Sequence, residues 1–86
     1  AHICSRYGHL DCLKILYSNG ASLNLKTDDE GYTPLHLASI WGHLELVKWL
    51  CEHKASTEIL DKKSKSAIEL ARENGHRDIE NYLNSI

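Results

Sequence analysis

The run Asp28-Asp29-Glu30-Gly31-Tyr32-Thr33-Pro34-Leu35-His36-Leu37-Ala38-Ser39-Ile40-Trp41-Gly42-His43 reads as a polar turn followed by one short helix. Thr33 is a good N-cap, and Pro34 sits at the first helical position, where its missing N–H costs nothing. Leu35, Leu37 and Ala38 are carried by that helix, and Gly42 stops it. Leu46, Val47 and Leu50 then fall on one face of a second helix. Glu45, in its first turn, complements the helix dipole.

Working outward, the same pattern returns. Gly-His occurs at Gly8-His9, Gly42-His43 and Gly75-His76, with offsets of 34 and 33 residues. The first offset aligns His2 with His36, Ser5 with Ser39, Leu10 with Leu44 and Leu16 with Leu50. The second aligns Asp28 with Asp61, Leu37-Ala38 with Leu70-Ala71, and Leu50 with Leu83. The extra residue of the first offset falls between Ala21 and Gly31, in a connecting loop that absorbs it cheaply. Ser66-Ala67-Ile68-Glu69 has the spacing of a capping box. Helices of about eight to ten residues do not persist alone in water, so the units must stack on one another.

Thr-Pro-Leu-His joined to this period closely resembles the ankyrin-repeat motif, and the resemblance extends over all 86 residues. It implies an all-α ankyrin-repeat solenoid of helix-turn-helix units with β-hairpin-like loops. Residues 1–86 form one domain: a partial first repeat (1–27), a full repeat (28–60) and a C-terminal capping repeat (61–86). The first unit lacks the hairpin and the Thr-Pro start, and the third has Ser64, Ala67 and Glu69 in place of Gly31, Pro34 and His36. Where the middle repeat has Leu44, Val47 and Cys51, the last has Arg77, Glu80 and Asn84, the solvated face expected of a terminal repeat. Ile3, Leu10, Leu13 and Ile15 leave the first unit apolar. We therefore expect the C-terminal part of a longer array, and either a monomer or weak self-association through the open N-terminal face.

Composition narrows the function classes. A chain of 86 residues, 42% hydrophobic and 26% charged, is one small soluble domain without a deep water-excluding cavity. The net charge of −2 lacks a basic footprint, and Asp61, Glu69 and Glu73 interrupt Lys62, Lys63 and Lys65, so no nucleic acid is expected. No apolar run approaches the ~20 residues of a membrane span. Cys4, Cys12 and Cys51 are odd in number and irregularly spaced, which suggests neither a zinc ribbon nor a disulfide framework. They read as small buried thiols of an intracellular protein, cytoplasmic or nuclear. Cys12 aligns with Leu46 and Ile79, core positions, and so reads as inert rather than as a nucleophile beside His9.

His9, His43 and His76 recur once per repeat. Layers ~10 Å apart cannot bring three rings to one ion bound at ~2 Å. Each imidazole is expected to bond backbone groups at the helix–helix turn. His36 resembles the family residue that bonds the Thr33 hydroxyl. No metal or other cofactor is expected. No catalytic triad, phosphate-cradling loop or paired carboxylates appear, so the chain is not expected to be an enzyme.

The resemblance implies a non-catalytic scaffold that binds a partner protein through a concave groove of helix and hairpin-tip residues. Those positions are Arg6 and Tyr7 in the first repeat and Asp29, Glu30, Tyr32, Ile40 and Trp41 in the second. In the third they are Lys62, Lys63, Lys65, Glu73 and Asn74. Tyr7 and Trp41 occupy equivalent positions and are expected side by side, as an interface pair or as rings that stiffen the stack. The hairpin tips change sign from Asp28-Asp29-Glu30 to Lys62-Lys63-Lys65, either for recognition or for solubility alone. Asn24 lies in a hairpin resembling those hydroxylated in some ankyrin arrays, but a hairpin hydrogen bond is the simpler expectation. The alternative function is a structural spacer or autoinhibitory segment of a larger enzyme or channel.

Overall fold

A computed structural model of the chain describes residues 2–86; Ala1, with which the first unit opens, lies outside them. Among these residues six helices pair in succession: α1 (His2–Tyr7) with α2 (Leu10–Ser18), α3 (Pro34–Trp41) with α4 (Leu44–Glu52), and α5 (Ala67–Glu73) with α6 (Arg77–Ser85). No strand occurs among the described residues. The hairpin-like loops are turns, the first closed by Thr27 N–H to the Tyr32 carbonyl at 2.9 Å, the second by Asp61 N–H to the Lys65 carbonyl at 2.9 Å and Ser64 N–H to the Asp61 carbonyl at 3.0 Å.

Local chemistry sets the helix ends. The Thr33 side chain accepts from the His36 N–H, while His36 Nδ1 accepts from the Thr33 N–H at 3.0 Å, so His36 fills the capping-box place usually held by a glutamate. Ser66 and Glu69 form the same box at the start of α5. Gly42 ends α3 with φ 78°, left-handed backbone that a side chain strongly disfavours. The second helices begin at His9, His43 and His76, none of which caps with its side chain.

The His43 and His76 rings instead reach back one repeat. His43 Nε2 donates to the Arg6 carbonyl and His76 Nε2 to the Ile40 carbonyl, each at 2.9 Å. Both acceptors lie in the last turn of an inner helix, where carbonyls have no helical partner. For these two the expectation of backbone bonding is met, but across the repeat boundary rather than within one turn. His9, the first of the series, is exposed.

Inner helices α1, α3 and α5 lie side by side, and α2, α4 and α6 form the outer layer. The inner helices approach closely because the aligned column Cys4, Ala38 and Ala71 is small and fully or almost fully buried. Leu13, Leu46, Val47, Leu50, Ile79 and Leu83 fill the space between layers. At the far side of the last repeat Arg77 and Asn84 are exposed, and Glu80 accepts from Arg72 at 2.7 Å.

The cysteines depart from expectation. Cys12 is exposed, whereas its aligned partners Leu46 and Ile79 are buried. Cys4 and Cys12 are joined as a disulfide linking α1 to α2. Their Cα atoms are 6.1 Å apart, because a separation of eight across the Gly8 turn sets the two residues opposite each other. The reading of small buried thiols thus holds for the burial of Cys4 but fails at the exposed Cys12, and the two are paired rather than free. Cys51 is the one free cysteine; burial, then Glu52, raises its thiol pKa.

Candidate functional site

A cleft of about 380 Å³ lies on the concave side, between the inner helices α1 and α3 and the first hairpin. His2, Ile3 and Arg6 line it from α1, Thr27, Asp29 and Tyr32 from the hairpin, and Leu37, Ile40 and Trp41 from α3. It therefore gathers five of the sequence-derived positions: Arg6, Asp29, Tyr32, Ile40 and Trp41. Tyr7 stands next door, in a recess of about 290 Å³ shared with Arg6, Trp41 and His43.

The two aromatics meet through a cation. The Arg6 guanidinium lies 5.3 Å from the Trp41 ring centroid and 5.6 Å from that of Tyr7, within cation–π range of both. Trp41 is 50% exposed and Tyr7 61%, so both rings remain open to solvent. At the hairpin end, the Thr27 hydroxyl and then the Glu30 N–H, 2.6 Å from Oδ1, hold the Asp29 carboxyl below its usual pKa. Tyr32 is half-buried against His36, and burial, followed by Glu30, raises its phenol pKa.

The remaining sequence-derived positions lie outside the cleft. Glu30 is exposed, and its carbonyl accepts from the Lys62 N–H. Lys62 reaches back to the Asp28 carbonyl with its Nζ and lies in the field of Asp29. Lys65 pairs with Glu73 at 2.6 Å, and that bond raises the Lys65 pKa. Asn74 donates to the Leu70 carbonyl of its own helix. The sign change between tips thus draws Lys62 into a contact between neighbouring repeats. Lys63 is exposed; its N–H, with that of Lys65, is held by the buried Asp61 carboxylate at 2.9 Å.

Four lining residues escaped the sequence reading: His2, Ile3, Thr27 and Leu37. Ile3 and Leu37 share a column with Leu70, and a column apolar in every repeat reads as core. A second aromatic group was missed altogether. On the outer helices, Tyr17 meets Trp49 edge-on at 5.4 Å, and His53 stacks on Trp49 at 4.1 Å. Asn24 accepts from the Ser56 N–H at 2.9 Å, a bond to the next repeat.

The family model described as Ankyrin repeats (3 copies) matches residues 1–85. The chain belongs to the ankyrin-repeat family. It is 33% identical over 85 residues to protein phosphatase 1 regulatory subunit 12A of Mus musculus, covering 99% of this chain and 8% of that protein. It is 40% identical over 74 residues to the DNA-binding protein RFXANK of Homo sapiens, covering 86% of this chain and 28% of the relative. To the ARF GTPase-activating protein GIT2 of Rattus norvegicus it is 35% identical over 83 residues, covering 95% and 11%. The chain spans less than a third of each. Ankyrin repeats generally mediate protein–protein interaction. None of the described helices is long and apolar enough to cross a membrane.

Proposed function

We propose that this ankyrin array binds a partner protein through the cleft between α1, α3 and the first hairpin. The observation that carries the reading is one surface recess combining a half-exposed Trp, an Arg held against it, a half-buried Tyr and the exposed Ile3 side chain. Aromatic residues and Arg dominate the energetics of protein interfaces, and a ring left open to water in a rigid recess is the usual form of an anchor. Lys63 and Asn74 would border the contact from the third repeat. The array acts by presenting these side chains on a preformed frame, with no chemical step.

The test is capture from lysate by the wild-type chain, by Trp41→Ala and by Arg77→Ala, a control on the polar end face. A partner retained by wild type and Arg77→Ala, and weakened about thirtyfold by Trp41→Ala, supports the groove. A partner held equally by all three sends the binding surface elsewhere.

A further inference from the structure

Given the groove reading above, we propose that the occupant is an extended peptide segment with an acidic and a basic residue three positions apart and apolar side chains between them. The cleft is polarised along its length. At the helix end stands Arg6, exposed and resting on two rings. Ring contact consumes no hydrogen-bond donor, so the guanidinium keeps its donors for a carboxylate. Among the described residues Arg6 has no acidic partner, in contrast to Arg72 with Glu80 and Lys65 with Glu73. At the hairpin end stands Asp29, an exposed carboxylate held ionised by Thr27 and Glu30, with the Glu30 side chain also exposed beside it.

Between these ends the lining is mainly apolar, with His2 and Thr27 as its polar members. Ile3 is 74% exposed, and Leu37, Ile40 and Trp41 face it from α3. The span follows from helix geometry. From Pro34, beside the hairpin, to Trp41 the helix rises about 10 Å. Extended chain covers that in three residues at about 3.3 Å each. A segment charged alike at both ends would meet repulsion at one of them, so complementarity selects against it.

The 15N-labelled chain, titrated with capped peptides, tests this. The probe is acetyl-Gly-Glu-Leu-Val-Lys-Gly-amide, beside two matched peptides carrying Glu, or Lys, at both charged positions. The expected result is movement of the Trp41 indole and of the Arg6 and Asp29 amides, with the mixed-charge peptide bound about fivefold more tightly than either control. Arg6→Gln should erase its advantage over the doubly basic peptide, and Asp29→Asn its advantage over the doubly acidic one. Equal affinity for all three peptides would overturn the charge polarity and leave the groove reading standing. No response to any of them, while a protein partner is still captured through Trp41, would overturn the extended-peptide occupant alone. Responses confined to other surfaces would overturn both.

Discussion

The imidazole of His76 lies directly over Gly42. A Cβ built on that glycine would fall 2.7 Å from His76 Cε1, and the ring's Nε2 is 2.9 Å from the Ile40 carbonyl. The same arrangement joins His43 to Gly8, where a Cβ would meet Nδ1 at 2.7 Å. The middle Gly-His pair therefore takes part in two contacts: Gly42 receives the ring of His76, and His43 covers Gly8, while a Cβ at Gly75 would meet nothing within 4 Å.

Gly42→Val should destabilise far more than Gly20→Val. Both glycines have positive φ, so each variant carries backbone strain of roughly 1–2 kcal/mol. Nothing lies within 4 Å of a Cβ at Gly20, and Lys54 takes the equivalent position with φ 68°. At Gly42 the side chain also displaces His76, adding about 2 kcal/mol from overpacking and a lost hydrogen bond. Thermal melts should separate the variants by about 8 °C or more, and equal shifts would contradict the contact.

Trp41→Ala should leave the fold nearly intact. The ring is half exposed and is absent from the buried core, so the expected loss is about 1 kcal/mol or less in a urea melt. Partner affinity should fall by about 2 kcal/mol or more. A large loss of stability with unchanged affinity would return Trp41 to a structural role.

His36 should make stability fall in mild acid. Burial, its largest influence, holds its pKa below the ordinary value of 6.5, and the Lys65 carbonyl and Asp61 offset this only in part. The unfolded chain then takes the proton first, so stability is complete above pH ~6.5 and declines as pH falls, levelling off below the folded pKa. The geometry agrees, since Nδ1 must stay unprotonated to accept the Thr33 N–H while Nε2 donates to the Lys65 carbonyl at 3.2 Å. Urea midpoints of wild type and His36→Gln between pH 7.5 and 5.5 check it: the wild-type advantage should shrink toward acid.

Thiol titration of the unfolded, unreduced chain should find one reactive cysteine, Cys51, and three after reduction. Closing so short a loop stabilises by about 2 kcal/mol, so reduction should lower the melting midpoint. Three thiols before reduction would remove the link between α1 and α2.

The repeat architecture was legible because its signals are local: Thr33-Pro34 starts a helix, Gly42 ends one, and the 33- or 34-residue spacing says which residues are equivalent. Equivalence, however, transfers identity and not surroundings. Cys12 shares a column with Leu46 and Ile79, yet it is exposed and bonded to Cys4 while they are buried. Ile3 shares a column with Leu37 and Leu70 and is 74% exposed while they are buried, so a column's identity does not fix its burial. Trp41, Tyr32 and Arg6 were legible as surface groups because their columns also accept Asn74, Lys65 and Ile40. The commitment of Lys62 to Asp28 was not, since it depends on two loops meeting across a boundary.

What crosses each boundary at the Gly-His corner is generic: a backbone carbonyl and a bare α-carbon on one side, an imidazole on the other. Arg6 and His43 are 37 positions apart, Ile40 and His76 only 36, and both bonds are 2.9 Å long. The joint tolerates a change of linker length and asks nothing of the side chains at positions 6 and 40. Units built this way are interchangeable at their seams. Duplication or exchange of a repeat between genes would leave the joint intact, so the exposed side chains can diversify by recombination while the frame that carries them is inherited unchanged.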